Sequence, residues 1–123
     1  METINKKQPV YDLEERTFQF AKSVRLFIKT LPKTIANYED AKQLVRSSGS
    51  VGANYIEANE ALGKKDFAMH AKISRKEAKE SKFWLRLIHE TNDWSNENEV
   101  LELINEADEL NKIFSAIIGK IKI

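Results

Sequence analysis

The stretch KKDFAMHAKISRKEAKESKFWLRLIHE, residues 64–90, decides the fold. Neither Gly nor Pro occurs from Lys64 to Ile118, so nothing local stops a long helix. Phe67, Ala71, Ser74, Ala78, Ser81, Leu85 and Ile88 recur at alternating steps of four and three. That spacing is the heptad seam of a left-handed helical bundle. Several seam residues are small, which predicts close packing on a partner helix.

Working back from this helix, Gly63 is expected to cap the helix before it, with Lys64, Lys65 and Asp66 in the turn. That earlier segment opens at Asn37 or Tyr38. Its face of Ala41, Leu44, Val45, Ser48, Val51, Gly52, Tyr55, Ile56, Asn59 and Leu62 keeps the helical period. The period runs unbroken through SSGSVGA, residues 47–53, which propensity alone assigns to a loop. Ser48 and Gly52, and Gly49 and Ala53, are small residues four apart, so this stretch reads as a helix-packing notch. It lacks the Gly-Lys-Ser/Thr ending and the preceding strand of a phosphate-binding loop.

Further back, Pro32 ends a first helix near Thr30. That helix starts at Asp12, a capping-box residue with Glu15, and its stripe is Leu13, Thr17, Phe20, Val24, Phe27 and Leu31. Residues 1–11 read as a flexible lead-in. Forward of residue 90, the run Asn92 to Asn96 breaks the chain, and Ser95 or Asn96 caps a last helix. Val100, Leu103, Ile104, Ala107, Leu110, Asn111, Phe114, Ile117, Ile118 and Ile121 lie on its core face. Four helices with short connections and no period-two segment give an all-α fold, an antiparallel up-down-up-down four-helix bundle in one domain over residues 12–123.

Composition excludes several functions. There is no Cys among 123 residues, hence no disulfide scaffold, zinc ribbon or thiol nucleophile. No apolar run reaches membrane-span length and no secretory leader is evident, so a cytoplasmic protein without a membrane role is expected. His70 and His89 do not follow a Glu by three residues, which removes the Glu-x-x-His pairs of a di-metal bundle. No metal, cofactor or catalytic constellation is expected. Glu57 and Glu60 are expected to pair with Arg75 or other basic side chains.

Two surface features remain. Met69, Ile73, Phe83, Trp84 and Leu87 lie about 90° to 180° from the seam and form a second apolar stripe. An edge helix should show a polar back, so this stripe reads as a subunit interface. Lys65, Lys72, Lys76, Lys79 and Arg86 fall within about 80° of one another and form a basic stripe for phosphate backbones. Net charge is only +1, yet eight basic residues face three acids from Lys64 to Arg86, and the last helix is strongly acidic.

At these residues the chain resembles a known family. The runs DLEERTF at 12–18, QLVRSSGSVGANYIEA at 43–58 and RKEAKES at 75–81, followed by Trp84 and Leu85, are similar to the four helix bundle proteins. These are encoded by intervening sequences in bacterial 23S ribosomal RNA genes, with free-standing relatives. The resemblance implies a barrel-like homopentamer without established enzymatic activity or cofactor. Its relatives include the accessory protein of diversity-generating retroelements, a basic pentamer that binds nucleic acid and a reverse transcriptase. The near-neutral charge here departs from those proteins and weighs against a reverse-transcriptase partner. Three readings follow: an oligomeric module that binds RNA or DNA, a structural and protein-interaction bundle with no nucleic-acid role, and last an enzyme, which no residue constellation favours.

Overall fold

Pro32 sets the first boundary. A computed structural model describes residues 13–121, and in it α1 (Leu13–Ile28) stops four residues before this proline. Tight turns close its end, with Thr30 N donating to Phe27 O at 2.9 Å and Leu31 N to Ile28 O at 3.1 Å. The expected capping box at Asp12 and the lead-in over 1–11 lie outside the described residues.

α2 (Ile35–Asn59) begins two residues earlier than Asn37. Thr34 is its cap: extended at φ −119° and ψ 162°, it accepts a hydrogen bond from Asn37 N through its hydroxyl. Asn37 has a different task. It is buried, donates to Pro32 O, and exchanges two 2.9 Å amide hydrogen bonds with Asn92 in the third connection. This pair ties the first and third turns together at one end of the bundle.

α2 ends at Asn59, and Glu60 caps it. Gly63 instead precedes α3 (Lys64–Glu90), with φ −156° and ψ 171°. A glycine C-cap needs a left-handed backbone, and Gly63 is extended, so it starts a helix rather than ending one. α4 (Asn98–Gly119) has Glu97 at its N-cap, not Ser95 or Asn96, and Glu97 makes no side-chain capping bond; the Asn96 side chain accepts from Asn98 N at 2.9 Å. Trp94 in the connection donates to His89 O at 2.8 Å and stacks on Phe27 at 6.0 Å, closing that end of the core.

Each helix packs on its chain neighbour, and α4 returns to α1. The pairs α1–α3 and α2–α4 are diagonals. Cross-helix bonds show the direction: Asn59, late in α2, donates to Glu14, early in α1, and Arg46 meets Glu77 while Asn54 meets His70. The helices therefore alternate, as the short connections require, around Val24, Phe27, Leu44, Leu85, Leu110 and Phe114. No strand occurs among the described residues, and none of their helices is long and apolar enough to cross a membrane.

The closest packing follows the small residues. Ala71, Ser74, Ala78 and Ser81 on α3 are fully buried, as are Ser47 and Ser48 on α2. The two backbones come close enough for the Ser74 hydroxyl to donate to Val51 O at 2.8 Å. The Ser47 and Ser81 hydroxyls meet at 2.8 Å, and Ser81 also donates to Glu77 O. Buried hydroxyls are thereby paired rather than orphaned.

Candidate nucleic-acid interface

The seam of α3 fixes where its other residues go. With one side packed on α2 and another on α4, the remaining arc faces outward. Lys65, Lys72, Lys76, Lys79 and Arg86 are all exposed there. Arg86 lies 3.4 Å from Glu90 in a solvent-exposed i,i+4 pair, which holds it weakly. The four lysines have no carboxylate within ion-pair distance among the described residues. On the α4 side, Lys82 pairs with Asp108 at 3.0 Å, and Lys112 reaches the other oxygen of the same carboxylate at 3.3 Å. Hydrogen bonds from Lys82 and Lys112 hold the Asp108 carboxyl below its usual range.

The second apolar stripe divides. Trp84 and Ile73 are half-buried, and Trp84 packs against the core while its indole N–H donates to Glu80 at 3.1 Å. Met69, Phe83 and Leu87 are 49%, 55% and 37% exposed. At about 100° per residue, Phe83 falls in line with Lys65, and Met69 and Leu87 lie beside Lys76. The exposed apolar and basic side chains thus share one face of α3.

The residues of the notch do three different things. A Cβ on Gly52 would lie 2.8 Å from Thr17 Oγ1 and 3.1 Å from Thr17 Cβ, so this glycine lets α1 approach α2. Gly49 lies under the Arg25 guanidinium, with 3.2 Å from an ideal Cβ to Nη2, and Arg25 itself donates to Ala21 O and Val45 O. Ser48 is buried, whereas Ala53 is exposed.

Sequence reasoning missed the ion cluster beside the notch. Arg46 donates to the buried Glu77 at 3.3 Å and also to Glu80. Burial pushes the Glu80 carboxyl up, but the Trp84 N–H and the Arg46 guanidinium outweigh it and hold the group below its usual range. The hydrogen bond to Glu80 raises the Arg46 pKa in turn. The available signal was Glu77 and Glu80, three apart on one side of α3, opposite a lone arginine one residue before the serine run. Glu57 and Glu60, expected to pair with basic side chains, are exposed and have no such partner among the described residues. His70 is half-buried against Asn54 Oδ1 at 3.2 Å, and no metal-holding group of acids and histidines occurs among the described residues.

A family model described as 23S rRNA-intervening sequence protein matches residues 11–116. The chain belongs to that family. A crystal structure of a protein of unknown function from the S23 ribosomal protein family of Bacteroides thetaiotaomicron is similar at 28% identity and TM-score 0.75. The match covers 87% of this chain and 98% of that one. No curated protein matches the chain.

The family match spans both charged surfaces, and they are kept apart within the chain. Glu106 of α4 forms a two-bond pair with Arg16 of α1, at 2.7 and 2.9 Å, and this pairing raises the Arg16 pKa. Glu99 and Glu102 line the same α1–α4 groove. The acids of α4 therefore lie mainly toward α1, and Asp108, already neutralised, is the α4 acid that pairs with α3.

Proposed function

We propose that this family member is a non-enzymatic, self-associating helical bundle that binds nucleic-acid phosphates through the outward face of α3. The observation that carries the reading is the set of exposed lysines at 65, 72, 76 and 79. Among the described residues they have no carboxylate within ion-pair distance, while Arg46 and Lys82, on the flanks toward α2 and α4, are paired. A family named for sequences within ribosomal RNA genes supports an RNA-facing role in the cytoplasm. Assembly as a homopentamer follows from the resemblance and would repeat the stripe around a ring, so weak contacts would add by multivalency.

A face that meets phosphates cannot also be buried between subunits. Phe18, Tyr38 and Ile56 on α1 and α2 are 60%, 65% and 48% exposed, and they offer assembly a surface away from the lysines.

Phosphate contacts give affinity without sequence preference, and they release counterions. Binding to duplex DNA should fall with salt at a log–log slope near −0.9 per phosphate neutralised. Lys72→Glu with Lys79→Glu should abolish binding in an anisotropy titration at low ionic strength while light scattering returns an unchanged oligomer mass. A wild-type protein that binds neither RNA nor DNA under those conditions overturns the reading. The protein-interaction alternative would then stand on Met69, Phe83 and Leu87, exposed on the same face.

A further inference from the structure

Phe83 is an aromatic ring set among cations. It is 55% exposed and makes an edge-to-face contact with Trp84 at its side, centroids 5.0 Å apart and planes at 80°. Lys79 lies one turn before it and Arg86 one turn after it on the same helix side. These three side chains, with Lys82, Asp108 and Asn111, line an open cleft of about 300 Å³ between α3 and α4. The acid in this lining, Asp108, is already bound by Lys82 and Lys112, so it does not oppose an incoming anion.

Lysines alone do not distinguish one phosphate backbone from another. An exposed aromatic ring does. A duplex keeps its base faces stacked inside and offers Phe83 nothing, whereas a single strand can lay a base on the ring. Lys79 and Arg86 are about 10 Å apart along the helix axis, which leaves room for a base between two phosphate contacts. We infer that Phe83 is a stacking platform for a base of single-stranded nucleic acid, with the flanking phosphates held by Lys79 and Arg86. This rests on the phosphate-binding reading of α3 and adds the form of nucleic acid that the face selects.

The test uses the full chain and short labelled oligonucleotides: single-stranded RNA, single-stranded DNA, and a blunt duplex of equal length, titrated at low ionic strength. Phe83→Ala should weaken single-strand binding about tenfold and leave duplex binding unchanged. Phe83→Trp should restore it, and Phe83→Leu, which keeps apolar bulk without a π-face, should not. Lys79→Glu should weaken both forms. Stacking beside Trp84 should also change its fluorescence on single strands and not on duplex. If the wild type binds neither form, the phosphate reading fails and this inference with it. If it binds both and Phe83→Ala weakens neither, weakens both alike, or is rescued by Leu, stacking is overturned and the phosphate reading remains. Circular dichroism and oligomer mass for each variant keep loss of fold separate from loss of binding.

Discussion

Replacing Gly52 with Ala sets two known effects against each other. Alanine is favoured over glycine within a helix by about 1 kcal/mol. Against this, the new Cβ would sit 2.8 Å from Thr17 Oγ1 and 3.1 Å from Thr17 Cβ. Thr17 has no easy retreat. It is 1% exposed, it is β-branched, and its hydroxyl donates to Glu14 O at 2.9 Å. Rotating it away breaks that bond inside the core, so α1 itself must move. Overpacking of this kind costs typically about 1–3 kcal/mol. Over most of that range the overpacking term is the larger, and the expected net change is a loss of about 0–2 kcal/mol after the propensity gain is deducted.

Urea denaturation at one fixed protein concentration measures this, because self-association of the kind proposed would make apparent stability concentration-dependent. A lower midpoint with unchanged slope is the expected result. Thr17→Ala in the same chain removes the closest atom, so the double variant should lose at least about 0.5 kcal/mol less than the two single losses combined. Gly52→Leu should cost more than Gly52→Ala, since nothing on α1 can yield that volume. A stabilised Gly52→Ala would refute the close approach of α1 and α2, and with it the reason this helix keeps a glycine at its centre.

Two further outcomes follow from the ion pairs. Arg46→Ala leaves the buried Glu77 carboxylate without its partner and should cost about 1–3 kcal/mol by thermal or chemical melting, with part recovered by adding Glu77→Gln. The Asp108 and Glu80 carboxyls are both held low in the folded chain, so the unfolded state binds more protons near pH 4. Their stabilisation is present above the unfolded carboxylate range and is lost as pH falls through the lower folded values. Lys82→Met should flatten that acid-side decline in an unfolding titration, and an unchanged profile would show that the Lys82–Asp108 pair contributes nothing to it.

The fold was legible because α3 carries its seam in the plainest form, one small or apolar residue at every heptad position from Phe67 to Ile88. The notch was legible for a related reason: the apolar period passes through residues 47–53 despite two glycines, and a loop has no cause to keep it. Helix ends were less so. Thr34, Gly63 and Asn96 are all residues of capping type, but which of several neighbours serves depends on where the chain must turn. Asn37 was drawn out of the capping role by Asn92, a partner 55 positions away that no local pattern announces. The Arg46 cluster was hidden for the same reason, since pairing across α2 and α3 depends on register rather than on spacing within either helix.

The outward face of α3 gives the sharpest contrast between the two levels. On a helical wheel its apolar and basic residues form two stripes whose centres differ by about 70°, and each suggests its own partner. In the folded chain Trp84 and Ile73 are half-buried, and Glu80 of the Glu80–Arg46 pair gives the Trp84 indole N–H an acceptor on the α2 side. What stays exposed of the apolar stripe is Met69, Phe83 and Leu87, interleaved with Lys65, Lys72, Lys76 and Lys79. A surface of that kind asks, of whatever covers it, both anionic groups for its lysines and an apolar contact for the ring of Phe83. It suits a ligand that alternates anionic and flat apolar groups along its length, and a single nucleic-acid strand is built that way.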